Sequence, residues 1–583
     1  MSKITFINKY AVSALAILAL SACGSQGTQE VQSSGQAPAE PHVATTTQAG
    51  QAALPNTDKS IANRASSPNY IFMIGDDIGL ETLTCYNIGE SMATTPNLDK
   101  MCANGLRFDN FYVQPACSPT RATLMTGQYA FANGVGVPIP PLENIEWNVP
   151  ESAGPDLEPA GMAEGGAMGE GGAMGAMGDG GAMGAMGDGG MGAMGDGGGM
   201  GAMGDGGGAM GAMGDGGGMA AAPAAPAPTD ATGVAPTITP GLAPDAYTFA
   251  HALKADADKG YQVAAIGKWH LADDKNGGLK HPLIAGFDHH IGPVRGGGVV
   301  NFRAWSKSID GAPPFGKEGY VTTDTVNDAI SWMQSTDTTK PFFMWVAFNA
   351  PHTPFHVPPK ELVNSDLKDL DPDTATDLEK FTAMIEAMDT EIGRLIASLD
   401  DETLANTYIS FLGDNGTPGQ VATAPFERVR AKGSMYRGGI NVPFIIQGPG
   451  VPTGTTPALS NGVDLFETVM DVSDIAADPK APQRPYHSVS LGPVLKGEVD
   501  QVRTYAFTDW FGPRRDEIVN LRTMRNEDYK TVLDLVANTQ ELYDLRVDPN
   551  ELNDLMKSEL SAEAKSNLTS IMKDYEALLA TKQ

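Results

Sequence analysis

The chain has 583 residues, which is long enough for one large α/β domain with a smaller one beside it. Its 39 Lys and Arg against 70 Asp and Glu give a formal net charge of −31 at pH 7. A nucleic-acid-binding protein needs a basic face, so this balance excludes nucleic acid as the expected partner. An acidic protein that binds an anionic substrate must concentrate positive charge locally, which makes Lys and Arg within motifs candidate anion ligands.

Residues 1–22 are predicted to be a signal peptide. Lysines precede an apolar run, Ala11 to Leu20, that is too short to span a bilayer as a stable anchor. The run ends in a Leu-Ser-Ala-Cys motif at Cys23 that resembles the lipobox of bacterial lipoproteins, in which the cysteine is lipidated. Gly24 in the next position favours the outer membrane by the same resemblance. We expect a lipid-anchored periplasmic or cell-surface protein; the alternative is an ordinary signal peptide with an incidental cysteine.

Two low-complexity segments follow. Residues 23–66 are rich in Gln, Ser, Ala, Pro and Thr and are predicted to be a disordered tether. Residues 150–240 repeat Ala-Met-Gly-Asp-Gly-Gly and close in an Ala/Pro-rich stretch. Glycine at that density loses too much backbone entropy on packing, so we expect a disordered insertion. Weak calcium binding by its aspartates, or soft-metal binding and oxidant scavenging by its methionines, are alternatives.

Four apolar runs outside these segments are predicted to be strands buried on both faces: Tyr70–Ile74, Tyr261–Ile266, Pro341–Phe348 and Tyr408–Leu412. Helical patterns lie between them, at Phe249–Lys259, Thr323–Ser335 and Leu378–Leu399. This alternation predicts an α/β fold over residues 67–500, a mainly parallel sheet flanked by helices. The ligand site of such a sheet lies at the carboxyl ends of its strands.

Acidic residues follow the first and last of these runs. Asp76 and Asp77 come after the first, and Asp414 and Asn415 after the last. Their oxygens are hard ligands that suit Ca²⁺ or Mg²⁺ better than zinc. Each pair alone is typical of a turn. Two such pairs at strand ends of one chain predict a metal site.

The middle two runs lead into titratable residues. The second is followed by Lys268, a cationic anchor, and by His270; the third is followed by His352. Both histidines are acid/base candidates. His356 is a rival for His352.

The sequence Cys-Ser-Pro-Thr-Arg from Cys117 to Arg121 is the most informative motif. Pro119 suits an early helical position and Gly127 suits a C-cap, so Cys117 is predicted at a helix N-terminus. Free N–H groups and the helix dipole favour an anion there, and Arg121 follows one turn on. A nucleophile in a cationic, metal-bearing site indicates an ester hydrolase for a sulfate or phosphate.

These motifs resemble the sulfatase family of the alkaline phosphatase superfamily. Its members convert the cysteine of a Cys-x-Pro-x-Arg core, here beginning at Cys117, to formylglycine. The stretch Gly260–His270 resembles the second sulfatase signature, and Lys432 matches the late lysine that binds sulfate. The resemblance covers roughly residues 67 to 575 apart from the insertion, and it implies a small C-terminal α+β subdomain, residues 501–583, with an antiparallel sheet and a helix over 561–579.

The resemblance also implies roles for the site residues. The metal would be held by Asp76, Asp77, Asp414, Asn415 and the modified Cys117. Lys268, Lys432 and His352 would bind the substrate. The catalytic set would be Cys117, Arg121, His270 and His352: a hydroxyl of hydrated formylglycine attacks sulfur, His352 protonates the leaving alcohol, and the second hydroxyl expels sulfate with help from His270. The implied partners are a sulfated small molecule or glycan and a formylglycine-generating enzyme.

Two alternatives to a sulfate monoester hydrolase stand beside this prediction. One is a phosphodiesterase or phosphonate monoester hydrolase of the same superfamily, and the other is a non-catalytic lipoprotein that binds sulfated glycans. With Cys23 and Cys117 assigned, Cys85 and Cys102 remain. They are either a disulfide or two buried thiols.

Overall fold

The computed structural model describes residues 67–140, 241–294, 299–476, 478, 481, 487–514 and 517–581. The predicted signal peptide, the lipidation site Cys23, the tether and the insertion at 150–240 lie outside them. Among the described residues, no helix combines the length and the apolar character needed to cross a bilayer.

The strands of the described residues are β1 (Asn69–Gly75), β2 (Leu106–Phe108), β3 (Phe111–Tyr112), β4 (Gln262–Gly267), β5 (His289–Gly292), β6 (Ala304–Ile309), β7 (Phe315–Glu318), β8 (Phe342–Ala347), β9 (Thr407–Gly413), β10 (Phe444–Gln447), β11 (Gly454–Thr456), β12 (Ser460–Asn461), β13 (Ala506–Arg514), β14 (Glu517–Arg525), β15 (Tyr529–Asp534) and β16 (Thr539–Asp544). The α-helices are α1 (Pro96–Asn104), α2 (Cys117–Thr126), α3 (Ala130–Asn133), α4 (Phe249–Ala255), α5 (His281–Ile284), α6 (Val321–Ser335), α7 (Asp377–Ala397), α8 (Asp401–Ala405), α9 (Arg437–Ile440), α10 (Leu465–Val472), α11 (Gly492–Leu495) and α12 (Ala562–Leu579).

The central sheet has the strand order β11-β2-β10-β9-β1-β8-β4-β5-β6-β7. Its middle five strands, β9, β1, β8, β4 and β5, run parallel. β10 and β6 continue it in the antiparallel direction on either side. The four predicted strands are therefore β1, β4, β8 and β9, and they are neighbours, which brings their carboxyl ends to one edge of the sheet. The predicted mainly parallel α/β fold is confirmed.

Helices cover both faces of this sheet, which explains why β1 is apolar from Tyr70 to Ile74. Tyr70, Phe72 and Ile74 pack into a core shared with α2, α4 and α10. Ile71 and Met73 point to the other face, into a core shared with α1, α6 and α7. Because successive side chains of a strand alternate between faces, a strand that is covered on both sides needs apolar residues at consecutive positions.

Helix α4 ends earlier than the periodicity predicts. The pattern extends to Lys259, whereas the helix stops at Ala255. The carboxylate of Asp256 accepts the backbone N–H of Lys259 at 3.2 Å, and its carbonyl accepts that of Gly260 at 3.1 Å. Asp favours such local bonds over continued helix, and Gly260 supplies the positive φ of 64° that closes the turn.

The C-terminal part forms a separate antiparallel sheet, β13-β14-β15-β16. One face packs against α12 through Ile571 and Tyr575 and against α3 through Phe131. The helix begins where predicted because Ser561 caps it, accepting the N–H of Ala564. The predicted small antiparallel sheet and terminal helix are confirmed.

Cys85 and Cys102 form a disulfide, which settles the choice that the sequence left open. It joins the segment after β1 to α1 and closes a loop with a sequence separation of 17. Of the described cysteines, Cys117 is the free thiol, and it is buried.

Candidate active site

The two acidic pairs meet because β1 and β9 are neighbouring parallel strands in register. The backbone N–H of Asp77 donates to Oδ1 of Asp414 at 3.1 Å, and Nδ2 of Asn415 donates to Oδ1 of Asp77 at 2.8 Å. Asp77 has a φ of 76°, a left-handed conformation that costs energy for a residue with a side chain. The strand ends thus hold four oxygen-bearing side chains in one buried cluster.

Cys117 lies at the first position of α2, as predicted, with Ala116 extended before it and Gly127 as the left-handed C-cap. One ligand atom from each of Cys117, Asp76, Asp77 and Asp414 lies within 4.8 Å of all the others. Side chains from three separate segments therefore converge on one point at the N-terminus of this helix.

The donor set of this cluster fits a hard divalent cation. Oδ1 of Asp76 and Oδ1 of Asn415 are buried and accept no hydrogen bond from the described residues. A buried oxygen without a donor is costly, and a cation that prefers carboxylate and amide oxygens removes that cost. Asp76, Asn415, Asp77 and Asp414 are four of the five residues predicted from the sequence to hold Ca²⁺ or Mg²⁺, and Cys117 is the fifth.

Three cations balance the carboxylates: Lys268 and Arg121 are buried, and Lys432 is partly buried. Nζ of Lys268 lies 2.5 Å from Oδ2 of Asp76. Nζ of Lys432 lies 2.5 Å from Oδ1 of Asp77 and 3.7 Å from Sγ of Cys117. Each lysine therefore touches a candidate metal ligand, and Lys432 also reaches the candidate nucleophile.

Arg121, which is fully buried, holds a carboxylate and a loop rather than the cysteine. Its Nε and Nη2 donate to Oδ2 of Asp414 at 3.1 and 2.8 Å, and its Nη1 donates to the carbonyl of Lys268 at 2.7 Å. Arg121 therefore connects α2 to the ends of β9 and β4.

Burial and charge set the protonation of the cluster. Burial raises the pKa of the Cys117 thiol, although Lys268 and Lys432 oppose this, so the unmodified side chain is a neutral thiol near pH 7. Burial, reinforced by the charge of Asp76, raises the pKa of Asp414 to about 6. Burial also acts to raise the pKa of Asp76, but the charges of Lys268, His352, Arg121 and Lys432 together outweigh it and lower that pKa.

The two predicted histidines both lie beside this cluster. Nε2–H of His270 donates to the carbonyl of Ile139 at 3.1 Å, and Nδ1–H of His352 donates to the carbonyl of Thr353 at 2.9 Å. Burial, and then the charge of Lys268, lowers the pKa of both imidazoles. Both are therefore neutral in this state near pH 7.

The structure separates His352 from its rival. The charges that act on the pKa of His352 are those of the cluster, with Lys268 and Asp76 foremost. His356 instead bonds to the hydroxyl of Tyr320 at 3.2 Å and packs on the ring of Phe302, 4.4 Å between centroids. We retain His352 as the acid/base candidate.

Sequence reasoning missed residues that shape the site through backbone contact. At Gly267, with a φ of 93°, an added Cβ would lie 2.0 Å from the carbonyl of Ala347. At Gly416 it would lie 1.8 Å from the carbonyl of Gly438. Both glycines let neighbouring segments approach closely, and their positions directly before Lys268 and after Asn415 are the signal that could have identified them.

The comparisons with known proteins show the family. Residues 68–157 and 225–475 match the family model described as Sulfatase, which is more than half of the chain. Residues 428–577 match the model described as N-sulphoglucosamine sulphohydrolase, C-terminal. The chain therefore belongs to the sulfatase family. It is a sulfatase, an enzyme that hydrolyses sulfate esters.

Among curated relatives, arylsulfatase G of Rattus norvegicus is 24% identical over 527 residues, covering 82% of this chain and 78% of the relative. N-acetylgalactosamine-6-sulfatase of Homo sapiens is 24% identical over 433 residues, covering 70% and 62%. Among solved structures, Ps i-CgsB in complex with k-i-k-neocarrahexaose is 19% identical with a TM-score of 0.60, covering 89% of this chain and 94% of that one. A protein bound to its substrate D-glucosamine-2-N,6-O-disulfate is 20% identical with a TM-score of 0.58, covering 89% and 98%. These structures share the fold.

Proposed function

We propose that this sulfatase hydrolyses sulfate monoesters to an alcohol or phenol and inorganic sulfate, using a formylglycine made from Cys117 and a bound Ca²⁺. The observation that carries the proposal is the convergence of Sγ of Cys117 with three carboxylates and with Lys432 at one buried point. A nucleophile, a cation site and a lysine at one helix N-terminus suit an anionic ester.

The metal would be held by Asp76, Asp77, Asp414, Asn415 and the modified residue 117. When bound, Ca²⁺ supplies charge that lowers the pKa of a neighbouring hydroxyl and neutralises sulfate oxygens. The oxygen-only side chains from the two strand ends support Ca²⁺, with Mg²⁺ as the alternative cation. Oδ1 of Asp76 and Oδ1 of Asn415 are buried and accept no hydrogen bond from the described residues, which supports the binding of a cation in this cluster.

The conversion of Cys117 to formylglycine is supported by two shortcomings of the unmodified thiol as a nucleophile. Its pKa is raised by burial, so it is a weak nucleophile near pH 7. A sulfur-bound sulfate would also lack a second hydroxyl to release it. Hydrated formylglycine supplies both hydroxyls, one to attack sulfur and one to expel sulfate. The proposal requires a maturation enzyme in the host.

The remaining residues have roles that follow from their contacts. Lys268 and Lys432, now paired with Asp76 and Asp77, would hold the sulfate oxygens as charge redistributes. Arg121 fixes Asp414 and the Lys268 loop. His270, neutral and buried, suits a base, and its lone pair lies on Nδ1 because Nε2–H donates to Ile139.

His352 suits the proton donor to the leaving oxygen. The carbonyl of Thr353 holds its Nδ1–H, so the protonated ring offers its second proton from Nε2. Burial lowers the pKa of His352 in the free protein, and the negative charge of a bound sulfate acts in the opposite direction.

A sulfated sugar is the substrate class that we propose. One curated relative is an N-acetylgalactosamine-6-sulfatase, and structural neighbours were solved with a neocarrahexaose and with a sulfated glucosamine. These names concern other proteins, and they support a glycan ester here ahead of a free phenol ester.

The proposal is tested by comparing hydrolysis of an aryl sulfate with that of an aryl phosphodiester. Intact-mass analysis of the tryptic peptide containing residue 117, from protein made in its native host, accompanies the assay. A faster sulfate reaction together with formylglycine supports the proposal. A faster diester reaction would favour a phosphodiesterase, and unmodified cysteine alone would refute the mechanism.

Replacing His352 by alanine should lower kcat about 100-fold for alkyl sulfates, because the leaving alcohol then departs without a proton. For 4-nitrophenyl sulfate the loss should be much smaller, since that leaving group is stable as an anion. His356→Ala is the matched control and should change neither rate by more than about twofold, as His356 packs on Phe302 away from the cluster. Equal losses for both substrates in His352→Ala would contradict proton donation.

We further propose that the enzyme is attached to the outer membrane through lipidated Cys23, on the strength of the lipobox motif. Cys23→Ser should move the protein from the membrane fraction to the soluble fraction, as followed by fractionation and immunoblotting. Metabolic labelling with a fatty acid should label the native chain and should not label the Cys23→Ser variant. Retention of the Cys23→Ser variant in the membrane fraction would refute this anchor.

A further inference from the structure

The segment Lys268–Ala272, called here the catalytic loop, is held from two directions by buried residues that no role above includes. The loop follows β4 and carries Lys268 and His270. His270 has a φ of 60°, a conformation that a residue with a side chain keeps only when its surroundings enforce it. The contacts that enforce it are therefore part of how the site is built.

The first contact runs from the nucleophile helix. Oγ of Ser118, next to Cys117, accepts the backbone N–H of Ile139 at 3.1 Å. The carbonyl of the same Ile139 accepts Nε2–H of His270 at 3.1 Å. Ser118 is fully buried and Ile139 nearly so. Ile139 thus connects the helix that carries Cys117 to the His270 ring. Its carbonyl also fixes the tautomer of His270, because Nε2 must carry the proton that it accepts.

The second contact comes from the residues that follow position 240. The backbone N–H of Leu242 donates to the carbonyl of Leu271 at 3.1 Å. The carbonyl of Leu242 accepts Nε2–H of His281 at 2.9 Å. Nδ1 of His281 in turn accepts the indole N–H of Trp269 at 3.0 Å. These two hydrogen bonds connect Leu242 to Trp269, the residue between Lys268 and His270, through the fully buried side chain of His281.

Asn276 completes this second contact. Its Nδ2 donates to the carbonyls of Leu242 and Leu271, each at 2.9 Å. Ile139, just before residues 141–240, and Leu242, just after them, thus both form hydrogen bonds with the catalytic loop.

We propose that Ser118 and His281 are positioning residues that hold the catalytic loop, and with it His270, from the two flanks of residues 141–240. The inference rests on the proposed sulfatase function. Neither residue touches the substrate in this assignment; each acts through Ile139 or Leu242 and Trp269. A displacement of about 1 Å at a reacting group is enough to cost up to about 100-fold in rate.

The test is a double-mutant cycle with 4-nitrophenyl sulfate as the probe and with rates normalised to formylglycine content. Ser118→Ala and His281→Leu are made in the wild-type background and in the His270→Ala background. We expect each to lower kcat about tenfold in the wild type with KM changed less than twofold, and to have no further effect on kcat once His270 is absent. Ser118→Thr, which keeps the hydroxyl, should retain most of the kcat that Ser118→Ala loses.

Matched controls separate positioning from loss of a buried polar group. Thr120→Ala removes a buried hydroxyl from the same motif that bonds to Gln114 instead. His487→Leu removes a buried histidine that bonds to Tyr129 and Thr581. Both should lower the melting temperature as the test variants do and leave kcat within about twofold.

The outcomes distinguish this inference from the function on which it rests. Loss of kcat that disappears in the His270→Ala background supports it, whatever the change in melting temperature. An active wild type whose kcat neither variant lowers, or equal losses in both backgrounds, would overturn the positioning role alone. A wild type that hydrolyses no sulfate ester would overturn the proposed function and this inference with it.

Discussion

Replacing Cys117 by alanine is expected to lower kcat for sulfate ester hydrolysis by roughly 10⁴-fold or more, with the fold retained. The residue lies at the N-terminus of α2, where Lys432 and three carboxylates converge, and the variant removes the precursor of the proposed nucleophile. Alanine has no atom to attack sulfur, so what remains is binding and electrostatics. The measurement is kcat on an aryl sulfate, with circular dichroism to check the fold.

The matched control is the double variant Cys85→Ala, Cys102→Ala, which removes the described disulfide but leaves residue 117. It should keep its kcat and lose about 3 kcal/mol in free energy of unfolding, the amount expected for a closed loop of this size. Substantial activity in Cys117→Ala would show that the nucleophile lies elsewhere. Loss of kcat in the folded control would show that cysteine replacement itself is harmful.

The second large effect is expected at the metal cluster. Asp76→Ala should lower kcat/KM by about 10²–10³-fold, because it removes a proposed ligand and leaves Lys268 buried without its partner. Chelation should bring the wild type to a similarly low rate, and added Ca²⁺ should restore it. The same Ca²⁺ concentration should not restore Asp76→Ala, and titration calorimetry should show weaker Ca²⁺ binding by that variant.

Asp389→Asn is the control for loss of a buried carboxylate. Asp389 is fully buried and accepts the backbone N–H of Leu98 at 2.7 Å, at the start of α1 and outside the cluster. It should lower stability while leaving Ca²⁺ dependence and kcat/KM close to wild type. A wild type that keeps full activity after exhaustive chelation would contradict the metal proposal.

The sequence by itself determined the elements and their kind. A strand covered on both faces is apolar at most positions, so the sequence predicts β1, β4, β8 and β9 from nearly continuous apolar runs. The polar residues directly after them had to reach one edge of a parallel sheet. Pro119 and Gly127 placed Cys117 at a helix start because both act locally on the backbone.

Only the tertiary structure decided which side chains meet. Arg121 bonds to Asp414 across 293 positions of sequence, and Lys268 bonds to Asp76 across 192. Such pairs depend on strand order and register, which local propensity does not encode. The same holds for the disulfide and for the hydrogen bonds from Ser118 to Ile139 and from Ile139 to His270. Ile139 takes part in them through its backbone atoms, so the identity of residue 139 gives no sign of them.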